Sequence, residues 1–420
     1  MFKFMKRKNV LSRLFLATAM LAFILTGCKK EPTEFTMSTL LAGTIDLNGA
    51  MAATTVPVNP EIVATFNTDI DVATAIPANV TLIQDYDNAE IAVTVTATGS
   101  TLTIKPNEDL GSGTLYKLTL KSGLKSTGAL ALTDVARQFT TIGNFVPKGA
   151  IAYWSFEGNA NDVIGAWDPA ASGIVNIAYT ASRNTAAGTA ATFDGTTSII
   201  EVPNGDQLMN TNDFTLSFWV KAAESGKGHF VMGLAAFYGF QFELYSGFNG
   251  FKMPVQFDYG DGTSGTGGDL PYNGDGKTMD NGGWKGTTYS KENTALVDVL
   301  KDKWFHVTYV YNSVTKERMF FLNGELAVKQ DHDLWTNDAG EPTKEAGITG
   351  LKYAGVAPET VNELAFGFIQ SRAGTLWDDQ SWGGYDMPGA NHFQGQLDDV
   401  RIFHKALTDQ EINLMYKSEK

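Results

Sequence analysis

The sequence predicts an all-β protein made of two β-sandwich domains that follow one another along the chain. Short segments alternate apolar and polar side chains with a period of two, which is the spacing of half-buried strands. Turn-forming Gly, Asn, Asp and Pro residues separate these segments, and glycine alone contributes 43 residues. A length of 420 residues accommodates two or three domains of the usual size of about 100–200 residues.

The chain begins with a segment typical of an export signal, which we predict over residues 1–27. Five basic side chains precede an apolar run over residues 14–25, and this order is typical of secretory signals. The apolar run is too short to span a bilayer, for which about 20 residues are needed. We therefore interpret it as a signal and not as a transmembrane anchor.

Cys28 is the only cysteine of the chain and directly follows Leu25-Thr26-Gly27. This arrangement resembles the lipobox of bacterial lipoproteins. The resemblance implies that residues 1–27 are removed and that Cys28 is acylated and attached to a membrane. The alternative is an unmodified thiol near an ordinary cleavage site, for which an oxidising compartment offers no evident use. We expect a lipid-anchored protein of the bacterial cell envelope, in the outer membrane.

Without residues 1–27 the chain is strongly acidic. Five of the 32 basic residues lie in the signal, so 27 remain against 46 acidic ones, a net charge of −19. A nucleic acid is excluded as a partner, because phosphate binding needs a basic surface. The same charge disfavours anionic polysaccharides unless calcium bridges them.

The first domain is predicted over residues 37–142, after a polar tether at 28–36. Apolar residues alternate in 62–66, 93–97 and 116–120, and about 105 residues suit a seven-stranded sandwich. The residues in 58–66, 102–106 and 138–141 make the segment similar to the bacterial Ig-like domains of SbsA-type surface proteins. The resemblance implies a spacer or an adhesive module. Residues 143–149, which include Pro147, form the linker.

The second domain is predicted over residues 150–420. Strand patterns occur in 214–220, 304–311, 319–322 and 364–369, and Asn323-Gly324 is a strong hairpin signal. Near the end, Thr408 and Glu411 form a capping box, which predicts a helix of one to two turns.

These segments together resemble a laminin-G-like, concanavalin-A-like lectin jelly roll. The resemblance is carried by residues 154–158, 193–195, 214–220, 304–307 and 395–402. It implies two antiparallel sheets, one of them concave, with ligand-binding loops at the rim. The sequence departs from a minimal domain of this kind in a Gly-rich insertion at about 237–300 and an irregular stretch at 372–392, which we expect to be long loops.

Aromatic side chains on these predicted loops form the first candidate site. Rings of this kind stack on the apolar face of a sugar while neighbouring polar groups bond to its hydroxyls. The alternative is that the rings fix the loops onto the sandwich. The candidate carbohydrate-binding residues are Trp284, Tyr272, Trp335, Trp377, Trp382 and Tyr385.

The second candidate site is a structural Ca²⁺ bound by Asp162, Asp398 and Asp399. Asp162 follows the first strand of the domain and the other two lie in the last, and such strands are often neighbours in a jelly roll. Carboxylate oxygens are the ligands that calcium prefers. The alternative is that Asp398 and Asp399 bond to backbone amides or to Arg401.

No catalytic motif is present, which predicts that the protein is not an enzyme. The sequence lacks the Glu-x-Asp-x-x-Glu motif of laminarinase-like hydrolases and a Gly-x-Ser-x-Gly elbow. Its five histidines show no zinc-binding spacing. We predict an envelope lipoprotein that binds a polysaccharide or surface glycan. The alternatives are an adhesin or assembly protein with a protein partner, a purely structural module, and an unrecognised glycoside hydrolase or lyase.

Overall fold

The structure is a computed structural model that describes residues 33–274, 278–281, 284–288 and 295–420. Between 275 and 294 the structure describes only the backbone of the two short segments. Cys28 and the predicted signal lie outside the described residues. The described chain forms two compact units, one of residues 33–110 and 114–142, the other of 111–113 and 143–420. No helix in the described segments is long and apolar enough to cross a membrane.

The first unit contains ten strands within residues 33–142. They are β1 (Met37–Ala42), β2 (Ile45–Asp46), β3 (Ala53–Val56), β4 (Ile62–Phe66), β5 (Val80–Gln84), β6 (Glu90–Ile91), β7 (Val93–Thr98), β8 (Thr101–Pro106), β9 (Leu115–Leu120) and β10 (Val135–Thr141). Two short 3-10 helices lie at Val72–Thr74 and Pro77–Asn79.

These strands form two five-stranded sheets, in the orders β2-β1-β4-β8-β7 and β3-β10-β9-β5-β6. β3 pairs with β10 in parallel and the other pairs are antiparallel. The predicted alternation buries Ile62, Ala64 and Phe66 on one face of β4. The structure has three strands more than the seven expected, because the short segments β2, β3 and β6 are too brief to show a period.

The second unit is a sandwich of two larger sheets. Its strands are β11 (Ala150–Trp154), β12 (Ile174–Val175), β13 (Ala178–Ala181), β14 (Thr189–Asp194), β15 (Ile199–Val202), β16 (Phe214–Ala222), β17 (His229–Leu234), β18 (Phe240–Leu244), β19 (Phe251–Asp258), β20 (Ser264–Tyr272), β21 (Thr278–Asn281), β22 (Trp284–Thr288), β23 (Phe305–Asn312), β24 (Glu317–Leu322), β25 (Glu325–Asp331), β26 (Gly350–Leu351), β27 (Leu364–Phe366) and β28 (Gln394–Phe403).

The helices of this unit are short except for the last. They are α1 (Asp206–Met209), α2 (Val297–Leu300) and α3 (Asp409–Glu419), with 3-10 turns at Ala171–Gly173, Thr185–Ala187, Ala236–Tyr238, His332–Leu334 and Lys344–Gly347. The Thr408–Glu411 capping box is confirmed, and α3 has 11 residues, about one turn more than expected.

The ten-stranded sheet has the order β13-β14-β28-β16-β23-β24-β25-β22-β21, with β11 also paired to β28. The eight-stranded sheet has the order β12-β15-β27-β17-β18-β19-β20, with β26 beside β19. Their facing sides form one aromatic-rich core that includes Trp154, Phe218 and Phe366. The predicted all-β class with two β-sandwich domains is confirmed.

The prediction that residues 237–300 form a long loop is wrong for much of this stretch. β18, β19 and β20 extend the eight-stranded sheet, and β21 and β22 extend the ten-stranded sheet. β20 escapes recognition because it contains three glycines in nine residues. One of them, Gly267, lies so close to the ring of Phe257 that a Cβ atom would come within 2.2 Å of it. Glycine is needed there for close packing, and this obscures the strand pattern.

Candidate functional site

The irregular segment between β27 and β28, residues 367–393, covers the outer face of the eight-stranded sheet. Strand alternation divides the two faces: Ile200 and Phe366 point into the main core, whereas Ile199 and Ala365 belong to a separate apolar cluster. Apolar residues of the segment pack onto this second cluster, and the buried ones among them are Phe368, Ile369, Leu376 and Ala390. The expected absence of regular secondary structure in 372–392 is confirmed.

Backbone hydrogen bonds fix the segment in one path. The amide of Leu376 donates to the carbonyl of Glu359 at 2.9 Å, and the amide of Phe230 in β17 donates to the carbonyl of Asn391 at 2.8 Å. Within the segment, Asn391 donates to the carbonyl of Trp382 at 3.0 Å. Side chains at its surface are therefore held on an ordered support.

Trp377 and Trp382 lie together at the surface of this segment, as predicted for a loop site. Their ring centroids are 5.1 Å apart with an interplanar angle of 46°. Trp377 is half-buried and its ring edge meets Phe237, whereas Trp382 is 40% exposed. Trp377 has a φ of 72°, a left-handed conformation that is rare for a bulky side chain and costs on the order of 1–3 kcal/mol.

Tyr385 is positioned by both its ring and its hydroxyl. The ring packs edge-on to Phe368 at 5.4 Å and to His392 at 4.7 Å. Its hydroxyl donates to the carbonyl oxygen of Thr197. Burial raises the pKa of Tyr385 to about 12, so the hydroxyl keeps its proton and remains a donor. These contacts hold the Tyr385 side chain in one position.

Tyr385 lines a cleft of about 510 Å³, which Asp378, the residue after Trp377, also lines. Two of its carboxylates, Asp378 and Asp386, are exposed, and within the described residues neither forms an ion pair. The size of the cleft falls in the range usual for small-molecule sites. Its lining residues are Arg372, Asp378, Gly384, Tyr385, Asp386 and Met387.

A second cleft, of about 350 Å³, shares Arg372 with the first. Glu201 of β15 accepts two bonds from the Arg372 side chain, at 2.6 Å from Nη2 and 3.2 Å from Nε, and one from its backbone amide at 2.7 Å. Burial raises the pKa of Glu201, but the bonds and charge of Arg372 outweigh this effect and hold it below its usual value. Glu363 also lines this cleft, and its Oε2 is buried without a hydrogen-bond partner among the described residues.

Three of the six aromatic residues predicted for carbohydrate binding lie elsewhere. Tyr272 is at the end of β20, not on a loop, and is 2% exposed against Phe251. Trp335 does lie on a loop, but it is 8% exposed and packs against His332 at 4.6 Å. Burial leaves neither ring a face for a ligand. Trp284 begins β22, and its side chain lies outside the described residues.

Asp162, predicted to bind calcium, instead organises the turn after β11. Its carboxylate accepts backbone bonds from Tyr153 at 2.8 Å, Ala166 at 3.0 Å and Trp167 at 3.2 Å, and a fourth from Ile164. These donors occupy the oxygen lone pairs that a cation would need.

Asp398 and Asp399 lie in a buried ion network. The Nη1 atom of Arg183 donates to Asp398 at 2.7 Å, and its Nη2 atom donates to Asp399. Arg401 donates to Asp399 at 3.1 Å and forms an ion pair with Glu419 at 2.8 Å. Burial raises the pKa of Asp398, and the charge of Asp399 adds to this.

Asp399 differs from Asp398 because it contacts both guanidinium groups. Burial raises its pKa, but Arg401 and Arg183 outweigh that effect and hold it below its usual value. With Asp162 engaged by amides and the other two by arginine, the predicted residues do not fit a calcium ion. Within the described residues, no group of three or more His, Cys, Asp or Glu side chains has an arrangement that holds a metal.

Four of the five histidines, His229, His306, His332 and His392, are buried. Burial lowers the pKa of His229 to about 4, of His306 to about 3 and of His332 to about 2, so these rings are neutral near pH 7. His392 is also buried, stacked on Phe368 at 4.6 Å. The neutral rings are surrounded by aromatic side chains, which fits packing positions.

Sequence reasoning missed Arg372 and Met387 as parts of the cleft, although both lie in the stretch that it singled out. The partner of Arg372, Glu201, is 171 residues away in the chain. A local pattern does not reveal a pairing of this range. The polar residues between Trp377 and Trp382 were the signal that did indicate Asp378.

Comparisons with known proteins agree with the architecture. The family model of the bacterial Ig-like domain matches residues 45–141. The model of the concanavalin A-like lectin/glucanases superfamily matches residues 194–343. No curated protein matches the chain significantly.

Among solved structures, the receptor binding domain of botulinum neurotoxin type G matches at 12% identity with a TM-score of 0.38, over 64% of this chain and 51% of that one. The ligand binding domain of botulinum neurotoxin serotype D, in complex with N-acetylneuraminic acid, matches at 15% identity with a TM-score of 0.40. The match covers 64% of this chain and 51% of that one. The chain spans about half the length of these structures, and at such scores they carry no functional argument. The family matches assign residues 45–141 to a bacterial Ig-like domain and residues 194–343 to a domain of the concanavalin A-like lectin/glucanases superfamily.

Proposed function

We propose that the protein is a non-catalytic, lipid-anchored lectin of the bacterial cell envelope that binds a glycan at the surface formed by Trp377, Trp382 and the adjacent cleft. The observation that carries this proposal is the 40% exposure of Trp382 beside a cleft with free carboxylates. An indole held in this way offers a sugar one apolar face, and Asp378 and Asp386 accept its hydroxyl hydrogen bonds.

The conformation of Trp377 supports the same proposal. A left-handed φ of 72° at a tryptophan is unfavourable, and such outliers cluster at functional sites because surrounding structure must hold them. Here the backbone turn that begins at Trp377, whose carbonyl accepts from Gln380 at 2.8 Å, brings the two indoles together. Leu376 and Ala390 are buried beneath the indoles, Trp377 packs against the same apolar cluster, and Trp382 meets Phe230 edge-on at 6.2 Å.

A glycan array tests the proposal. The protein applied to it lacks residues 1–27 and carries Cys28→Ser. We expect the wild-type surface to select a set of glycans, and Trp382→Ala to weaken binding by at least about tenfold, a typical effect for a central aromatic contact. Leu334→Ala is the matched control, because Leu334 is 50% exposed elsewhere in the same unit. It should bind as the wild type does.

An array on which the wild type binds no glycan would overturn the proposal. Binding that Trp382→Ala leaves unchanged would place the ligand elsewhere. Release of shortened products from a bound oligosaccharide would favour a glycoside hydrolase or lyase instead. Selective capture of a protein with a blank array would favour the adhesin alternative.

The anchoring part of the proposal rests on Cys28 and the preceding apolar segment. Radiolabelled palmitate should mark the wild-type protein in its bacterial host. Cys28→Ser should remove the label and release the protein into the soluble fraction. A variant that stays membrane-bound would contradict lipid anchoring at this residue, whatever the array shows.

A further inference from the structure

The charges around the two clefts are unbalanced. One guanidinium, Arg372, faces four carboxylates: Glu201, Glu363, Asp378 and Asp386. Glu201 takes most of the Arg372 donors through its bidentate pair, with the Nη2 to Oε2 distance at 2.6 Å. Within the described part of the chain, no ion pair neutralises the other three carboxylates.

These carboxylates are not arranged to share one cation. They are spread over two clefts, and the described residues contain no group of three acidic or other ligating side chains that fits a metal ion. Separated acceptors suit an extended ligand with several donor groups. The exposed acceptors are Asp378 and Asp386 in the first cleft, whereas Glu363 lines the second and its Oε2 is buried without a hydrogen-bond partner among the described residues.

We infer that the paired clefts select a glycan carrying free amino groups, such as a glucosamine oligomer, over a neutral glycan of the same shape, and reject polyuronates. This inference rests on the proposed function and specifies its ligand class. A protonated sugar amine donates to Asp378 or Asp386 and gains from their negative charge. A uronate carboxylate meets the same groups with like charge, and the net charge of −19 expected for the chain without its signal adds to this repulsion.

The exposure of Asp378 and Asp386 determines how strongly the clefts prefer the amine-bearing glycan. Asp378 and Asp386 lie at the surface, where an ion pair contributes little because water and salt screen it. Two such pairs correspond to a preference of about five- to tenfold in Kd for the amine-bearing oligomer. The preference should shrink towards one in about 1 M NaCl, where the screening length falls to about 3 Å.

The test compares three oligomers of equal length by calorimetry at mildly acidic pH: β-1,4-linked glucosamine, its N-acetylated counterpart and a polyuronate. The first two share one sugar backbone and differ at the nitrogen, which is a charged ammonium in one and a neutral acetamide in the other. We expect the order glucosamine, N-acetylglucosamine, polyuronate, from tightest to weakest. Asp378→Asn with Asp386→Asn should abolish the preference for the amine, because the amide keeps the shape and loses the charge.

Asp338→Asn is the control, since Asp338 is exposed in the same unit but lines neither cleft. It should keep the wild-type preference. Equal binding of the first two oligomers, or a preference that survives the double substitution, overturns the charge selection and leaves glycan binding standing. Binding of none of the three also overturns this inference, and the array then decides separately whether the surface binds any glycan.

Discussion

Arg183 illustrates how one buried side chain connects distant parts of the second unit. Its guanidinium contacts Asp398 and Asp399 of β28, donates through Nε to the carbonyl of Glu419 at 2.8 Å, and lies 4.6 Å from the ring centroid of Trp219. Three buried carboxylates share two guanidinium groups in this network. Loss of one cation leaves buried negative charge without compensation.

We expect Arg183→Met to lower the free energy of unfolding by about 3–5 kcal/mol, measured by urea denaturation. Addition of Asp398→Asn should restore part of this loss, because it removes the carboxylate left unpaired. Lys301→Met is the control, since its pair with Glu224 is exposed, and it should leave the urea midpoint nearly unchanged. Losses that simply add in the double variant would contradict the network interpretation.

His332 makes stability depend on acid. Its ring lies 5.1 Å from that of Phe257 and 4.6 Å from that of Trp335, and neither ring nitrogen has a hydrogen-bond partner among the described residues. Burial lowers its pKa to about 2, whereas the unfolded chain has the ordinary value of about 6.5. The unfolded state therefore binds the proton first. Stability is fully present above about pH 6.5 and is lost as pH falls towards the folded pKa.

His332→Phe should reduce this acid loss. Below about pH 6, the unfolding free energy of the variant should fall less steeply than that of the wild type, by up to about 1.4 kcal/mol per pH unit. Urea denaturation at a series of pH values measures both slopes, and the values at pH 8 correct for any change in packing. Parallel acid limbs would contradict a buried neutral His332.

Residue identity alone predicted part of this picture. Trp377 and Trp382 were predicted to lie on a loop, and the structure places both in the irregular segment between β27 and β28. Trp335 was not recognised as buried, since its neighbour His332 appears polar in sequence and acts as an apolar ring in the structure. The roles of Arg183 and Asp398 also escaped prediction, because 215 residues separate them.

At the scale of elements, the β24–β25 hairpin is both predicted and confirmed. Asn323 and Gly324 have φ values of 54° and 76°, as a two-residue turn of type I′ requires. The turn also supports α3, because a Cβ atom on Gly324 would lie 2.9 Å from the ring of Tyr416. Gly324 thus meets two constraints, one of conformation and one of space.

Gly324→Ala should therefore lower the free energy of unfolding more than the same substitution at a glycine that has a positive φ but open space around it. Gly340 is that control, with φ of 81° and open space around its Cβ position. Gly340→Ala should cost about 1–2 kcal/mol of unfolding free energy, and Gly324→Ala more. Equal losses in thermal or urea unfolding would show that the contact with Tyr416 is unimportant.

The elements that sequence reasoning missed have a common physical cause. β19 is buried in six of its eight positions and includes Pro254, so it shows neither clean alternation nor a usual strand composition. β20 is Gly-rich, and β12 and β26 have two residues each. Strand patterns identify half-buried strands, but strands covered on both sides or shaped by close packing lack that signal.

At the scale of the whole molecule, stability should not depend on calcium. The residues predicted to bind it are satisfied by amides and arginines within the second unit. Melting curves in EDTA and in millimolar calcium should therefore coincide in scanning calorimetry. A rise in Tm with calcium that Asp398→Asn abolishes would restore the structural-ion hypothesis, since a bound ion stabilises the folded state by mass action.

The central claim is that a glycan occupies the Trp377–Trp382 surface, and hydroxyl-radical footprinting with mass spectrometry tests it most directly. Trp382 should be oxidised readily in the free protein, because its side chain is 40% exposed. A saturating glycan from the array should protect Trp382 at least about threefold, while Met51 of the first unit, 86% exposed, keeps its rate as internal reference. Unchanged oxidation of Trp382 under saturating glycan, or protection confined to other residues, would contradict the account.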